Sequence, residues 1–411
     1  MNSDVIIIGG GAAGLTAALS ASGGGARVTL LESAPRVGRK LLATGNGRCN
    51  LANVREPRYY GNQALALAVL ERRPVDQVLS FFHSLGLATV EEDGGRIYPG
   101  CGQASAVLDV LREAAERRGV RILCDTPARA IEKLPRGLRV QTPQGTLQAV
   151  SVVAACGGMA GGRLGHDGSA YALLTRLGHR LVTPRPALTQ LVGEKSAVKG
   201  LAGLRLPARL TLCAGACPVS AAQGEALFTD YGVSGVCAMQ LSRDAGALVD
   251  AGKKPVLYLD FSPMAGLAPR VYDRVTVRAP LEPAARMEEF LRQRLHTLPR
   301  DALLCGLAPR LLSQRLRGLP LKEQARLLAA FPVPILGVRG FEHAQVTQGG
   351  IDGAEFDPRT LTSRRIPGLY AAGEMLDVDG DCGGYNLLFA FASGLTAGEE
   401  AARNALQLNR R

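Results

Sequence analysis

The 411-residue sequence has no tryptophan, and aromatic residues make up only 5% of it. Its arginines therefore lack the interleaved rings on which exposed bases stack, which argues against a single-strand RNA platform. Lysine is scarce as well: Lys40, Lys195, Lys199, Lys253, Lys254 and Lys322 are most of it, so the formal charge of +12 rests on arginine. Such a balance speaks to polyanionic partners or to an arginine-, alanine- and glycine-rich genome, not to fold. No apolar run is long enough to cross a bilayer. Residues 4–22 carry Asp4, a glycine run and no basic flank, unlike a leader. The nine cysteines form no CxxC pair, so Cys213, Cys217 and Cys237 do not read as a zinc site and no metal ligands are expected. The thiols are expected to be reduced, in a cytoplasmic protein. No long polar or charged tract suggests disorder.

What the sequence does have is glycine, 50 residues of it, much of it in a few loops. Asp4–Ile8 is a short apolar run bounded by glycine, as expected of a buried parallel strand. Gly9-Gly10-Gly11-Ala12-Ala13-Gly14 follows, then a small-residue helix to about Ser22, then a second strand over Arg27–Glu32. This is a βαβ unit with a dinucleotide fingerprint, in which each element has a mechanical reason. Gly9 permits the tight turn, Gly11 lets the backbone approach a pyrophosphate, and Gly14 lets the helix lie close to the strand. The helix start at Ala12 and Ala13 offers free N–H groups to phosphate. Glu32, followed by Ser33, is placed to accept the ribose hydroxyls and would repel a 2′-phosphate.

Residues 34–60, rich in Gly, Arg and Asn, read as a ligand-covering loop. Helices are expected over 63–72, 75–85 and Ala104–Arg118, the last with Val107, Leu108, Leu111 and Ala115 on one face. Strands are expected over Val120–Cys124, Leu138–Thr142 and Leu147–Ala155, the last ending in Cys156-Gly157-Gly158. From Leu191 to about Ala279 short β-type runs alternate with turns; 283–331 is helical and carries Arg286, Arg292, Arg294, Arg300, Arg310, Arg315, Arg317 and Arg326. Short strands return after Pro334, at Ala344–Thr347. The reading is an α/β fold in which a Rossmann-type FAD-binding domain (1–190 and 345–411) is interrupted by a β-barrel-like domain. That inserted domain takes in 191–282 and 332–344, and it carries a helical insertion at 283–331.

Two further segments favour FAD over NAD. Gly38-Arg39-Lys40 fits the stretch that runs beside the cofactor after the ribose acid. Gly368-Leu369-Tyr370-Ala371-Ala372-Gly373-Glu374 resembles a second FAD fingerprint, a strand ending in Gly plus an acid. Gly157–Gly162 follows a strand, but no second complete dinucleotide unit exists, so NAD(P)H is expected to visit near the flavin as a transient reductant.

Several blocks carry a resemblance that spans the chain in order. They are Gly45-Asn46-Gly47-Arg48-Cys49-Asn50, Phe228–Gly235, Val346-Thr347-Gln348-Gly349-Gly350, Gly373–Gly380 and Gly383-Gly384-Tyr385-Asn386-Leu387. With these the chain resembles the YhiN/BaiN-type NAD(P)/FAD-dependent flavoproteins. That family includes a dihydrouridine synthase acting on 23S ribosomal RNA and flavoproteins of bile-acid dehydroxylation. The resemblance implies a flavin contact for Gly45, Asn46 and Gly157, and a helix start under the flavin pyrimidine at Gly384, Asn386 and Leu387. It differs at Cys382, where threonine is frequent, and at Leu388-Phe389-Ala390-Phe391, where glutamine and tryptophans are usual.

The expected reaction is flavin-dependent reduction of an activated C=C bond, which needs hydride at one carbon and a proton at the other. Cys49 is the candidate acid, with Arg48 to poise its thiol and Tyr385 nearby as a weaker candidate. The substrate is either uridine in ribosomal RNA, met by the arginine-rich insertion, or a small enone such as a steroid or CoA-linked acid. A non-catalytic flavin redox sensor is the alternative of another class. No membrane partner is expected, and the sequence is silent on oligomeric state.

Overall fold

The computed structural model describes residues 3–267, 283–295, 304 and 306–409. They fall into two compact units, Met1–Arg185 with Val346–Arg411, and Pro186–Gln345.

The first unit is built on a five-stranded parallel sheet. Its strands are β1 (Val5–Ile8), β2 (Val28–Leu31), β3 (Arg121–Leu123), β4 (Ser151–Ala154) and β5 (Leu369–Ala371), in the spatial order β5-β4-β1-β2-β3. Val5 pairs with both Ser151 and Val28, and Ile8 with both Ala154 and Leu31, so β1 is central. Every residue of β1, β2 and β4 is buried, which is why these strands read as unbroken apolar runs. Strand order reverses at β1: β2 and β3 lie to one side, β4 and β5 to the other. In open α/β sheets ligands bind at such a switch point, beyond the carboxyl ends of the strands.

Two helices pack face to face beside the sheet, α1 (Ala12–Gly23) and the long C-terminal α2 (Tyr385–Asn409). Their closeness explains the small residues on both. A Cβ on Gly394 would lie 2.3 Å from the Ala13 carbonyl oxygen, and one on Gly398 would lie 2.2 Å from that of Ala17. Backbone meets backbone, so α1 is buried on nearly every side.

The second unit holds a closed six-stranded barrel in the order Leu191–Gly193, Gly232–Ser234, Cys217–Phe228, Arg205–Ala214, Pro255–Asp260 and Phe331–Val338. Its core includes three phenylalanines, Phe228, Phe261 and Phe331, with ring centroids 5.9–6.4 Å apart. Helices Pro283–Leu295, Arg310–Leu316 and Leu321–Ala329 follow the fifth barrel strand. Met287, Leu291, Leu312, Leu316 and Leu328 join the same apolar cluster as the barrel.

Several expected elements differ. Phe331–Val338, which starts at the end of the segment read as helical and runs into the part read as β-rich, is a barrel strand despite Pro332 and Pro334. The prolines sit at alternate positions, leaving Phe331, Val333 and Ile335 to face the core, so the missing N–H groups fall on one side of the strand. The strand expected at Ala344–Thr347 runs over Val346–Ile351. Leu147–Ala155 is not one strand but two, Gly145–Ala149 and Ser151–Ala154, which belong to different sheets. Only Val150 separates them and no glycine or proline marks the break, so it left no turn signal in the sequence. The expected loop 34–60 contains a helix (Arg39–Ala43) and strands Ala52–Asn53 and Tyr59–Gly61. The β-rich segment also includes helices Val236–Gln240 and Ser242–Asp250. Of the arginines expected in the helical insertion, Arg300 lies outside the described residues.

Candidate functional site

Two glycine turns meet where β1 and β4 end. Gly9 has φ 105°, and a Cβ there would lie 2.4 Å from the Ala155 carbonyl oxygen. The turn after β1 and the turn after β4 are therefore in direct backbone contact, and only glycine fits. Gly14 is as tightly placed, its Cβ position 1.8 Å from the Gly9 oxygen. Gly11 and Gly157 are the opposite case: a Cβ on either would meet nothing within 4 Å. The first two glycines close the fold; the other two leave backbone facing open space at the amino end of α1.

Glu32 closes one side of this cradle. Its Oε2 accepts the Gly10 N–H at 2.7 Å and its Oε1 accepts the Ala34 N–H at 2.8 Å and the Ser33 hydroxyl at 3.2 Å. The acid thus ties the two ends of the βαβ unit together, with a second lone pair on Oε2 left for a ligand.

The other side is a network that sequence reasoning did not see as one. Gly38 adopts a left-handed conformation and donates its N–H to the Gly10 oxygen, so the helix Arg39–Ala43 starts against the cradle. From it Lys40 Nζ donates to Glu374 Oε2 at 2.6 Å. Glu374 Oε1 accepts the Thr347 N–H at 2.8 Å, and Thr347 Oγ1 accepts the N–H groups of Met159 and Ala160 at 2.9 and 3.0 Å. Gly158 makes room: a Cβ there would come within 2.5 Å of Thr347 Oγ1 and 2.7 Å of Glu374 Oε1. Gly373 brings its segment against Ala13 of α1. Arg39 is half-buried beside this network.

His166, given no role from sequence, braces the turn after β4. The Gly168 N–H donates to Nδ1 at 2.9 Å, so the proton resides on Nε2, which donates to the Gly157 oxygen at 3.0 Å. Burial holds this imidazole below the usual histidine value.

At the amino end of α2 a third pair of loops converges. Asn53 Nδ2 donates to the Gly383 oxygen at 2.8 Å, and Gly384, with φ 104°, lies against the Ala52 oxygen. Asn386 is spent on its own chain: Oδ1 accepts the Gly380 N–H and Nδ2 donates to the Gly380 and Asp381 oxygens. The Tyr385 carbonyl accepts the Tyr59 hydroxyl at 2.7 Å, and the two rings meet edge to face. Leu387 is half-buried against the core.

Gly45 and Asn46 both take the left-handed conformation in the turn before Cys49, itself at φ 57°. Cys49 is wholly buried, and burial pushes its thiol up to about 12. The expectation that Arg48 poises this thiol is corrected. Arg48 hydrogen-bonds Glu92 through both terminal nitrogens and lies 4.2 Å over the Tyr98 ring. Burial, opposed by a hydrogen bond with Thr44, sets the direction of the Cys49 shift; Arg48 does not.

The sequence-derived cofactor residues thus gather at the carboxyl end of the sheet and at the start of α2. Thr347, His166 and Asn50 were absent from them. Thr347 and Asn50 lay in quoted blocks, but nothing in the sequence said what their side chains face.

The Rossmann domain of HI0933-like proteins is recognised over residues 3–400. The 3-dehydro-bile acid delta(4,6)-reductase of Clostridium scindens is 37% identical over 403 residues, 96% of this chain and 98% of the relative. A ribosomal RNA dihydrouridine synthase from Escherichia coli is 27% identical and one from Haemophilus influenzae 26% identical. Each alignment covers 95% of this chain and 96% of the relative. Among the described residues no helix is long and apolar enough to cross a membrane.

Proposed function

This chain belongs to the HI0933-like protein family, and from that premise we propose an FAD-dependent oxidoreductase. Recharged by NAD(P)H, it saturates a C=C bond conjugated to a carbonyl. The observation that carries the reading is the cradle at the strand switch point, with open space at Gly11 and Gly157 and close backbone contacts at Gly9 and Gly14. Its parts fit the pieces of FAD in order. Glu32 and Ser33 would take the adenosine ribose. The N–H groups from Gly11 to Gly14 would take the pyrophosphate, and Lys40 and Glu374 the stretch toward the ring. The start of α2, Gly384 to Leu387, would take the pyrimidine. Gly45 and Asn46 belong to the loop that would cover it.

When bound, the flavin supplies hydride transfer at its ring nitrogen. The protein's part is to hold, orient and protonate. The amino end of α2, with its partial positive charge, would hold the pyrimidine and favour negative charge there. Cys49 keeps its proton, as its raised value requires, and in this proposal gives it to the carbon that does not receive hydride. Tyr385 positions the loop through the Tyr59 contact.

For the substrate, the first reading is a small enone, supported by the higher identity to the bile-acid reductase. Uridine in ribosomal RNA is the second, supported by the charge of +12 and by the two synthases. Several insertion arginines are already engaged within the chain: Arg292 with Glu288, Arg326 with Glu323, and Arg315 with the Ser196 and Lys199 oxygens.

The test is spectroscopic. The purified protein is bleached anaerobically with NADH or NADPH, then offered a 3-keto-4,6-diene steroid or a uridine-rich 23S-like transcript. Reoxidation by the steroid supports the first reading, and reoxidation by the transcript with dihydrouridine formed supports the second. A protein that purifies without FAD and takes none up would sink both.

A further inference from the structure

Asn50 has a side-chain oxygen with nothing to bond. Its Oδ1 is sealed from solvent and makes no hydrogen bond among the described residues. Leaving such an acceptor buried and unpaired carries its full desolvation penalty, so a donor is expected there. The surroundings narrow what it is. A Cβ on Gly384 would come within 2.7 Å of this oxygen, which places Oδ1 against the residue that opens α2. The Asn53–Gly383 hydrogen bond fixes the two loops together. The first N–H groups of a helix have no partners inside it. An orphan acceptor therefore stands beside a set of orphan donors.

Mixed donors and an acceptor in one place suit a ligand edge of the opposite pattern. A carboxylate or phosphate offers acceptors only and leaves Oδ1 unpaired. An imide edge, an N–H flanked by two carbonyls, answers both. We propose that Asn50 Oδ1, together with the amino end of α2, recognises an imide edge, that of the flavin pyrimidine through its N3–H. This rests on the FAD reading above and extends it to a side chain outside the fingerprints. A uracil ring presents the same edge, so the experiment must separate the two sources.

Apoprotein, freed of flavin, is titrated with FAD and with N3-methyl-FAD, and uptake is followed by fluorescence and by the visible spectrum. Wild-type protein is expected to bind the methylated flavin about tenfold more weakly, the size of one good hydrogen bond with its desolvation. Asn50→Ala should weaken FAD and abolish the discrimination. Asn50→Asp, which keeps an acceptor, should retain it, and this arm with wild type decides the matter if the alanine variant does not fold. Equal wild-type affinity for both flavins overturns the flavin assignment. If, in that case, reoxidation fails with N3-methyluridine only when Asn50 is present, the edge belongs to uracil. Failure to take up either flavin overturns the FAD reading itself, a result distinct from equal uptake of both.

Discussion

Gly11 and Gly14 lie three residues apart in one turn and meet opposite surroundings. A Cβ on Gly14 would lie 1.8 Å from the Gly9 oxygen, whereas a Cβ on Gly11 would touch nothing within 4 Å. Gly11 also has ordinary extended backbone, φ −84°, which alanine adopts without strain. The two alanine variants should therefore fail differently. Gly14→Ala should destabilise the apoprotein by about 3 kcal/mol, since backbone cannot move aside as a side chain can. Gly11→Ala should leave apoprotein stability within about 0.5 kcal/mol yet weaken FAD at least about tenfold. Urea unfolding of the apoprotein and flavin titration read the two effects separately. Equal loss of stability in both would mean that the space at Gly11 is not held open for a ligand.

Lys40 and Glu374 meet across 334 residues of sequence at 2.6 Å. Both side chains are partly exposed, 28% and 20%, so the pair itself contributes little to stability, within about 1 kcal/mol. In the proposed site its value lies in the ammonium it holds beside the cofactor. Lys40→Met should change the apoprotein unfolding midpoint little and raise the FAD dissociation constant about tenfold. Glu374→Gln keeps an oxygen for the Thr347 N–H and should show a milder version of the same loss. A Lys40→Met protein that binds FAD as wild type does would remove Lys40 from the cofactor site.

What could be seen in advance was what is local. The strand, turn, helix and acid of the first thirty residues follow from period and spacing, because each residue's role is set by neighbours a few positions away. The Lys40–Glu374–Thr347 network was not legible, since it joins three segments far apart in sequence. The barrel strand Phe331–Val338 was legible only as part of a β-rich segment, because the alternation of Pro332 and Pro334 matters only once the strand's two faces are known. The break between Ala149 and Ser151 carries no glycine or proline and left no mark. Asn50 shows the same limit at the site: its neighbours in sequence are legible, but its unpaired oxygen lies against Gly384, far away in the chain.

Acid should loosen the first unit before its carboxylates titrate. Burial lowers both His166 and His179 below the usual histidine value. His179 does so despite Glu355 at 2.9 Å, with Arg365 opposing that carboxylate's effect. In the folded chain these rings stay neutral, while in the unfolded chain they take up protons from about pH 6.5 downward. Stability is therefore fully present above about pH 6.5 and lost as pH falls toward the folded values. Glu355, held low mainly by Arg365 and hydrogen bonds against its burial, loses its contribution only at lower pH, below the usual carboxylate value. Denaturant midpoints at pH 7 and pH 5 should show a fall in wild type that is shallower in His166→Gln. An identical fall in both would mean that His166 titrates alike in the folded and unfolded chain.

Cys49 separates a proton donor from a packed thiol. With its value pushed up to about 12 by burial, opposed only by a hydrogen bond with Thr44, almost no thiolate exists at pH 8. Iodoacetamide at that pH should label the exposed Cys101 and Cys217 and spare Cys49, because the thiolate is the reacting form. A proton donor acts only in the half-reaction that protonates substrate. Cys49→Ala should therefore leave the rate of flavin bleaching by NAD(P)H unchanged and slow substrate-driven reoxidation by about 10²-fold or more. Cys49→Ser, which keeps a transferable proton in the same space, should recover part of that loss. A thiol that merely fills the turn predicts a different pattern. Both half-reactions would then fall together with stability, and serine, polar in a buried apolar position, would do no better than alanine.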